Sequence, residues 1–316
     1  MTLDLTNSLD WRDGLPLPQW DIVQSWIDSR CAPGERAAAW TSVSRQWLGE
    51  LGPALGSEGG DDVGDSDYEQ IESPNFLALV PRGDPSVRGL LPFAERCRAT
   101  LLGSLQAIAR FDAQGKQVVL VMRDTDDYYR YVSLYHEDGE YGGSAGIHIR
   151  EGRPHVVLQG GHGLARESTL AHELTHAALM HLSMPQWLEE GLAQMFEHGV
   201  TGQSPLIVDA EMAAKHKRYW GARGLEEFWF GEGFSSPGEV QKLSYQLAEI
   251  LVRLLVEEGR PRWFGFAREP QRRFLAFLRE AHVEDCGAEA CRERLGYPLE
   301  ELAGRFLGEG DWSVGR

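Results

Sequence analysis

The chain reads as an α+β fold: a few short apolar strands in its middle, preceded by amphipathic helices and followed by a long helical tail. Three observations carry that expectation. The runs Asn75-Phe-Leu-Ala-Leu-Val80 and Gln117-Val-Val-Leu-Val-Met122 are short and almost wholly apolar and read as strands. The first fifty residues repeat large apolar side chains at helical spacing, and from about Glu167 to Leu307 the helical period dominates again. With 316 residues, 42% of them hydrophobic and 25% charged, the chain has material for a sizeable core and for more than one domain.

Taken in order, Trp20, Val23, Trp26 and Ile27 outline a first helix, broken by Cys31-Ala-Pro-Gly34. Trp40, Val43, Trp47, Leu48 and Leu51 outline a second, and a tryptophan stripe of this kind marks a core-facing surface. Residues 52–67, GPALGSEGGDDVGDSD, are acidic and glycine-rich and read as a linker. Beyond it come the strand at 75–80, a helix over about 86–110, the strand at 117–122 and a short helix marked by Tyr128, Tyr131, Val132 and Tyr135. Ile147-His-Ile149 and Pro154-His-Val-Val-Leu158 read as paired strands after the glycine-rich segment Gly139–Gly146. The expected divisions are a helical N-terminal segment at 1–66, a mixed subdomain at 67–200 and a helical C-terminal subdomain at 201–316.

A net charge of −17 opposes phosphate and argues against nucleic acid as a partner. The N-terminus lacks the basic and apolar regions of a signal peptide. No window approaches the roughly 18 apolar residues of a membrane span, so the expectation is a soluble, cytoplasmic protein with no membrane partner. Four cysteines, Cys31, Cys97, Cys286 and Cys291, are too few for a disulfide scaffold and read as packed thiols.

The chemistry gathers in Ser168-Thr-Leu-Ala-His-Glu-Leu-Thr-His-Ala-Ala-Leu-Met-His-Leu182, read as one helix capped by Ser168. His172 and His176 are four apart and share a helix face, close enough to hold one metal ion. Glu173 can reach a water on that ion without ligating it, the HExxH arrangement of zinc peptidases. Catalytic zinc needs a third protein ligand and one open position. A histidine-type third ligand of the metzincin pattern is excluded, because the positions it requires hold Leu179 and Leu182, and His181 falls one residue short. The following helix, Met184-Pro-Gln-Trp-Leu-Glu-Glu-Gly-Leu-Ala-Gln-Met-Phe-Glu197, offers carboxylates instead. Its Glu190-Gly191 pair is odd for a stable helix, since glycine costs about 1 kcal/mol relative to alanine there.

HELTH followed by PQWLEEGLAQMFE resembles the gluzincins, the thermolysin- and aminopeptidase-type zinc peptidases, and most of all the bacterial peptidase-MA-like families with W-L-x-E-G-x-A after the zinc helix. The resemblance implies a zincin-like core of small mixed sheet and active-site helix. It implies Zn2+ held by His172, His176 and Glu190, rather than Glu189, and Glu173 as the catalytic base. It also implies an oxyanion-stabilising tyrosine across the site, for which Tyr245 in Lys242-Leu-Ser-Tyr-Gln-Leu-Ala248 is the candidate. The thermolysin-type aspartate four residues after the ligand glutamate is Gln194 here, so that orienting role passes to Gln194 or Glu197. The implied activity is hydrolysis of a peptide or protein substrate, with Val156–Leu158 as an edge for extended peptide to pair with. The alternative is a catalytically inactive zincin fold that binds or regulates.

Overall fold

The computed structural model describes residues 3–56, 67–111, 114–136, 144–161, 163–203, 206–259 and 268–315. Its architecture is mixed α+β, and the chain divides into two compact units: Met1–Thr100 with Phe111–Ala178, and Leu101–Arg110 with Leu179–Arg316. No helix among the described residues is long and apolar enough to cross a membrane.

The first unit opens with a hairpin, β1 (Leu9–Arg12) and β2 (Leu15–Pro18). Asp13 and Gly14 turn it with φ of 48° and 73°, the doubly positive pair that a two-residue hairpin loop requires. Helices α1 (Trp20–Arg30) and α2 (Arg36–Gly56) follow, parted by a 3-10 turn at Pro33–Glu35 where the sequence breaks its period. Residues 57–66, most of the expected linker, and 137–143, most of the glycine-rich segment, lie outside the described residues.

The remaining elements are β3 (Tyr68–Glu72), β4 (Phe76–Pro81), α3 (Leu90–Leu105), β5 (Gln117–Val121), α4 (Thr125–Val132), β6 (Gly146–Ile149), β7 (His155–Leu158) and α5 (Leu164–Leu179). Five strands form one sheet in the order β3-β4-β5-β7-β6. β4, β5 and β7 run parallel, and the outer strands β3 and β6 are antiparallel to their neighbours. Strand alternation sends Leu77, Leu79, Val118, Leu120, Val157, Ile147 and Ile149 to one face. There they share a core with Val23, Ile27, Trp40, Trp47 and Leu51 of α1 and α2 and with Tyr128 and Tyr131 of α4.

Two sequence expectations change here. The N-terminal helices are not a separate segment ending at 66, because their tryptophans and aliphatics complete the sheet's own core. Val156–Leu158 is no edge either: β7 lies between β5 and β6, and the edge on that side is β6.

The second unit is helical. It holds α6 (Gln186–Thr201), α7 (Ala210–Arg223), the short α8 (Glu226–Trp229) and α9 (Glu232–Ser235), α10 (Glu239–Gly259), α11 (Arg268–Glu280), the single turn α12 (Ala288–Ala290) and α13 (Leu299–Leu307). Trp187, Trp220, Phe228, Trp229, Leu247, Leu251, Phe277 and Leu302 centre its core. The division falls at Leu179, so α6 belongs with the C-terminal helices rather than with a subdomain ending at 200. Cys97, Cys286 and Cys291 are buried free thiols and Cys31 is a half-buried one. Burial pushes the thiols of Cys286 and Cys291 up to about 11 and about 12, which keeps them protonated and unreactive.

Candidate metal centre

Helix α5 carries HELTH. It begins at Leu164, a turn earlier than the sequence suggests, and ends at Leu179. Ser168 is therefore an interior, buried residue and not the cap. The start of α5 is fastened by Arg166, whose buried guanidinium pairs with Asp84 at 3.4 Å and donates to the Ser86 hydroxyl at 2.8 Å and to the Gly161 carbonyl. Farther along, a Cβ placed on Gly146 of β6 would lie 2.5 Å from Thr169 Cγ2. Glycine at 146 is what lets α5 press against the edge strand.

Leu170, Ala171, Leu174 and Ala178 form the core face of α5. His172 and His176 are half-buried, with their Nε2 atoms 3.1 Å apart, ring centroids 4.9 Å apart and planes at 64°. Two nitrogens on one tetrahedral zinc at 2.0–2.1 Å would be separated by about 3.3 Å, so the observed approach is close to that of a pair of zinc ligands. Glu173 is only 8% exposed. An ionisable side chain so buried is rare without a partner or a task.

Helix α6 supplies the carboxylate. Trp187 through Ala193 are all buried, including Glu189 and Glu190, so this turn faces protein all round. A Cβ on Gly191 would meet the Ala248 carbonyl oxygen and Val252 Cγ2 of α10, each at 2.5 Å. The oddity of the Glu-Gly pair thus has a packing cause: α6 and α10 touch backbone to backbone at Gly191, beside Glu190. One nitrogen from each of His172 and His176 and one oxygen from Glu190 all lie within 4.8 Å of one another. Among the described residues, Glu189 is not in that group.

The other expected residues sort differently. Tyr245 stands on α10, partly buried in the C-terminal core, its ring edge-on to Phe234 at 5.2 Å. His181 follows the end of α5 and is exposed. Gln194 and Glu197 are half-buried on α6.

Two residues of this region escaped the sequence reading. Tyr128 of α4 is buried, its hydroxyl 2.7 Å from the Ser144 hydroxyl. Burial, with a further push from the negative charge of Glu173, raises its phenol to about 12, so it is a neutral O–H within electrostatic reach of that carboxylate. His148 of β6 is 8% exposed, and among the described residues neither of its ring nitrogens has a hydrogen-bond partner. A histidine inside an apolar strand is visible in Ile147-His-Ile149, but its unmet hydrogen bonds are a property of the fold.

No family model matches the chain, and a search of curated proteins finds no match to it.

Proposed function

We propose that the protein is a zinc-dependent metallopeptidase of zincin-like architecture, in which the mixed sheet and α5 present His172 and His176 and α6 adds Glu190. The convergence of those three ligand atoms within 4.8 Å carries the reading. The donor set fits zinc: two imidazole nitrogens and one carboxylate leave one position open, the composition of a catalytic rather than a structural site. Peptide or protein is the proposed substrate.

A zinc ion held there supplies Lewis acidity, lowering the pKa of a water it carries towards roughly 7 and polarising a substrate carbonyl. The chain's own residues do the rest. His172 and His176 each offer a neutral Nε2, which requires their remaining protons to sit on Nδ1. Glu173, next to His172 and largely shielded from solvent, takes the proton of the attacking water and delivers it to the departing amine. Tyr245 is proposed as a hydrogen-bond donor to the developing oxyanion.

The test pairs metal content with turnover. Zinc-supplemented protein is expected to bind one zinc per chain and to hydrolyse a generic casein or peptide-library substrate. Glu173→Gln is expected to keep the metal and lose at least about 100-fold in kcat, as loss of a general base does. Glu190→Ala is expected to weaken zinc binding, whereas Glu189→Ala leaves it intact. Full activity in Glu173→Gln, or no zinc uptake by the parent protein, would overturn the reading.

A further inference from the structure

We infer that His148 donates a hydrogen bond to the oxygen ligand occupying the open position of the metal centre. The inference rests on the zinc reading above and adds a residue to it. Ile147 and Ile149 belong to the core shared with α1, α2 and α4, so alternation along β6 turns His148 and Gly146 to the opposite face. That face is covered by α5, because the Cβ position of Gly146 falls 2.5 Å from Thr169 Cγ2. Thr169, His172 and His176 are spaced i, i+3, i+7 and form one stripe along α5. His148 is therefore on the side of the sheet that meets the two imidazoles.

The state of its ring points the same way. Both nitrogens of His148 are buried, and among the described residues neither has a hydrogen-bond partner. A buried polar group without a partner is strongly disfavoured, so a partner belongs at that place. Contrast His155 on β7, also buried, whose Nδ1 lies 2.6 Å from the Arg153 carbonyl and whose Nε2 lies 2.8 Å from the Tyr131 hydroxyl. That histidine is fully engaged by the fold. A neutral imidazole has one N–H to donate. His148 does not join the converging group of His172, His176 and Glu190, so it meets what the metal carries rather than the metal.

The experiment uses the zinc-loaded full chain and acetohydroxamate, a small oxygen ligand for zinc. His148→Phe is expected to bind zinc within about threefold of the parent affinity and to bind acetohydroxamate at least about tenfold more weakly by calorimetry. His148→Gln, which keeps an N–H donor, is expected to recover part of that loss. In parent protein labelled with ¹⁵N-histidine, the ring signals of His148 are expected to shift when acetohydroxamate is added, a measurement that needs no variant to fold. Unchanged acetohydroxamate affinity in a zinc-binding His148→Phe, or ring signals that do not move, would show a packing residue and overturn the inference. Loss of zinc by a folded His148→Phe would make it a ligand and overturn it too. If the parent protein takes up no zinc, the metal reading itself fails and the inference falls with it.

Discussion

Gly191 concentrates the residue-scale argument. Alanine is the better helix former by about 1 kcal/mol, so on propensity Gly191→Ala should stabilise α6. Its methyl would sit 2.5 Å from the Ala248 carbonyl oxygen, part of a helix backbone that cannot swing aside. Overpacking of this kind costs about 1–3 kcal/mol and wins. Set against the gain of about 1 kcal/mol in propensity, the variant is expected to lose up to about 2 kcal/mol in urea unfolding and, because Glu190 is adjacent, to bind zinc more weakly. A variant as stable as the parent would show that α6 and α10 can part freely. Such residues mark how far a sequence can be read. His172, Glu173 and His176 are legible because helix geometry alone puts them together. Gly191 is legible as an anomaly, but its cause, Ala248, lies far along the chain. His148 was not legible as a candidate, since whether a buried nitrogen finds a partner depends on everything packed around it.

At the scale of elements, apolar runs gave away β4, β5, β6 and β7, while β3 and the β1–β2 hairpin passed unnoticed. The reason is exposure. β3 is Tyr-Glu-Gln-Ile-Glu at the sheet edge, and three of the four residues of β1 are exposed, so neither carries a continuous apolar signal. The Asp13-Gly14 turn was the available clue to the hairpin. Where α5 starts was misread for a related reason: its first turn is held by Arg166 reaching Asp84 and Ser86, contacts made across the fold and not by a local cap. Burial raises the Asp84 carboxyl, but the Ser86 hydrogen bonds and the Arg166 charge outweigh it and hold the group below its usual value. A lowered carboxylate stabilises the fold above the unfolded value of about 3.9, and that contribution disappears as pH falls through the lower native value. At neutral pH the latch is intact, and Arg166→Met, which strands a partly buried carboxylate, is expected to cost about 2–3 kcal/mol. Hydrogen exchange is the direct check: amides near 164–168 are expected to exchange faster in the variant, and unchanged protection would relieve Arg166 of the role.

For the molecule as a whole, the pH dependence of stability follows from its buried neutral histidines, His148 and His155 in the first unit and His216 in the second. His155 in the first is pushed down to about 4, chiefly by burial, and His216 in the second is lowered by the same cause. A histidine that resists protonation in the native state takes up a proton sooner when unfolded, so its contribution is intact above about pH 6.5 and is lost as pH falls below that value. For His155 the loss continues down to about pH 4 and amounts to about 2 kcal/mol by pH 5. Charge repulsion acts the other way. The net −17 at pH 7 shrinks towards zero near the isoelectric point of about 5.0, which eases self-repulsion in the native state. That relief is spread over a screened surface, whereas the histidine effect belongs to one enclosed ring fixed between Arg153 and Tyr131. The two are separated by comparing differences rather than absolute stabilities. With metal removed by chelator, urea unfolding of the parent is expected to show lower stability at pH 5 than at pH 7.5. In His155→Gln, whatever its stability at pH 7.5, that gap is expected to narrow by about 2 kcal/mol, because the surface charge is unchanged and the reluctant imidazole is gone. A gap of the same size in the variant would locate the acid sensitivity elsewhere.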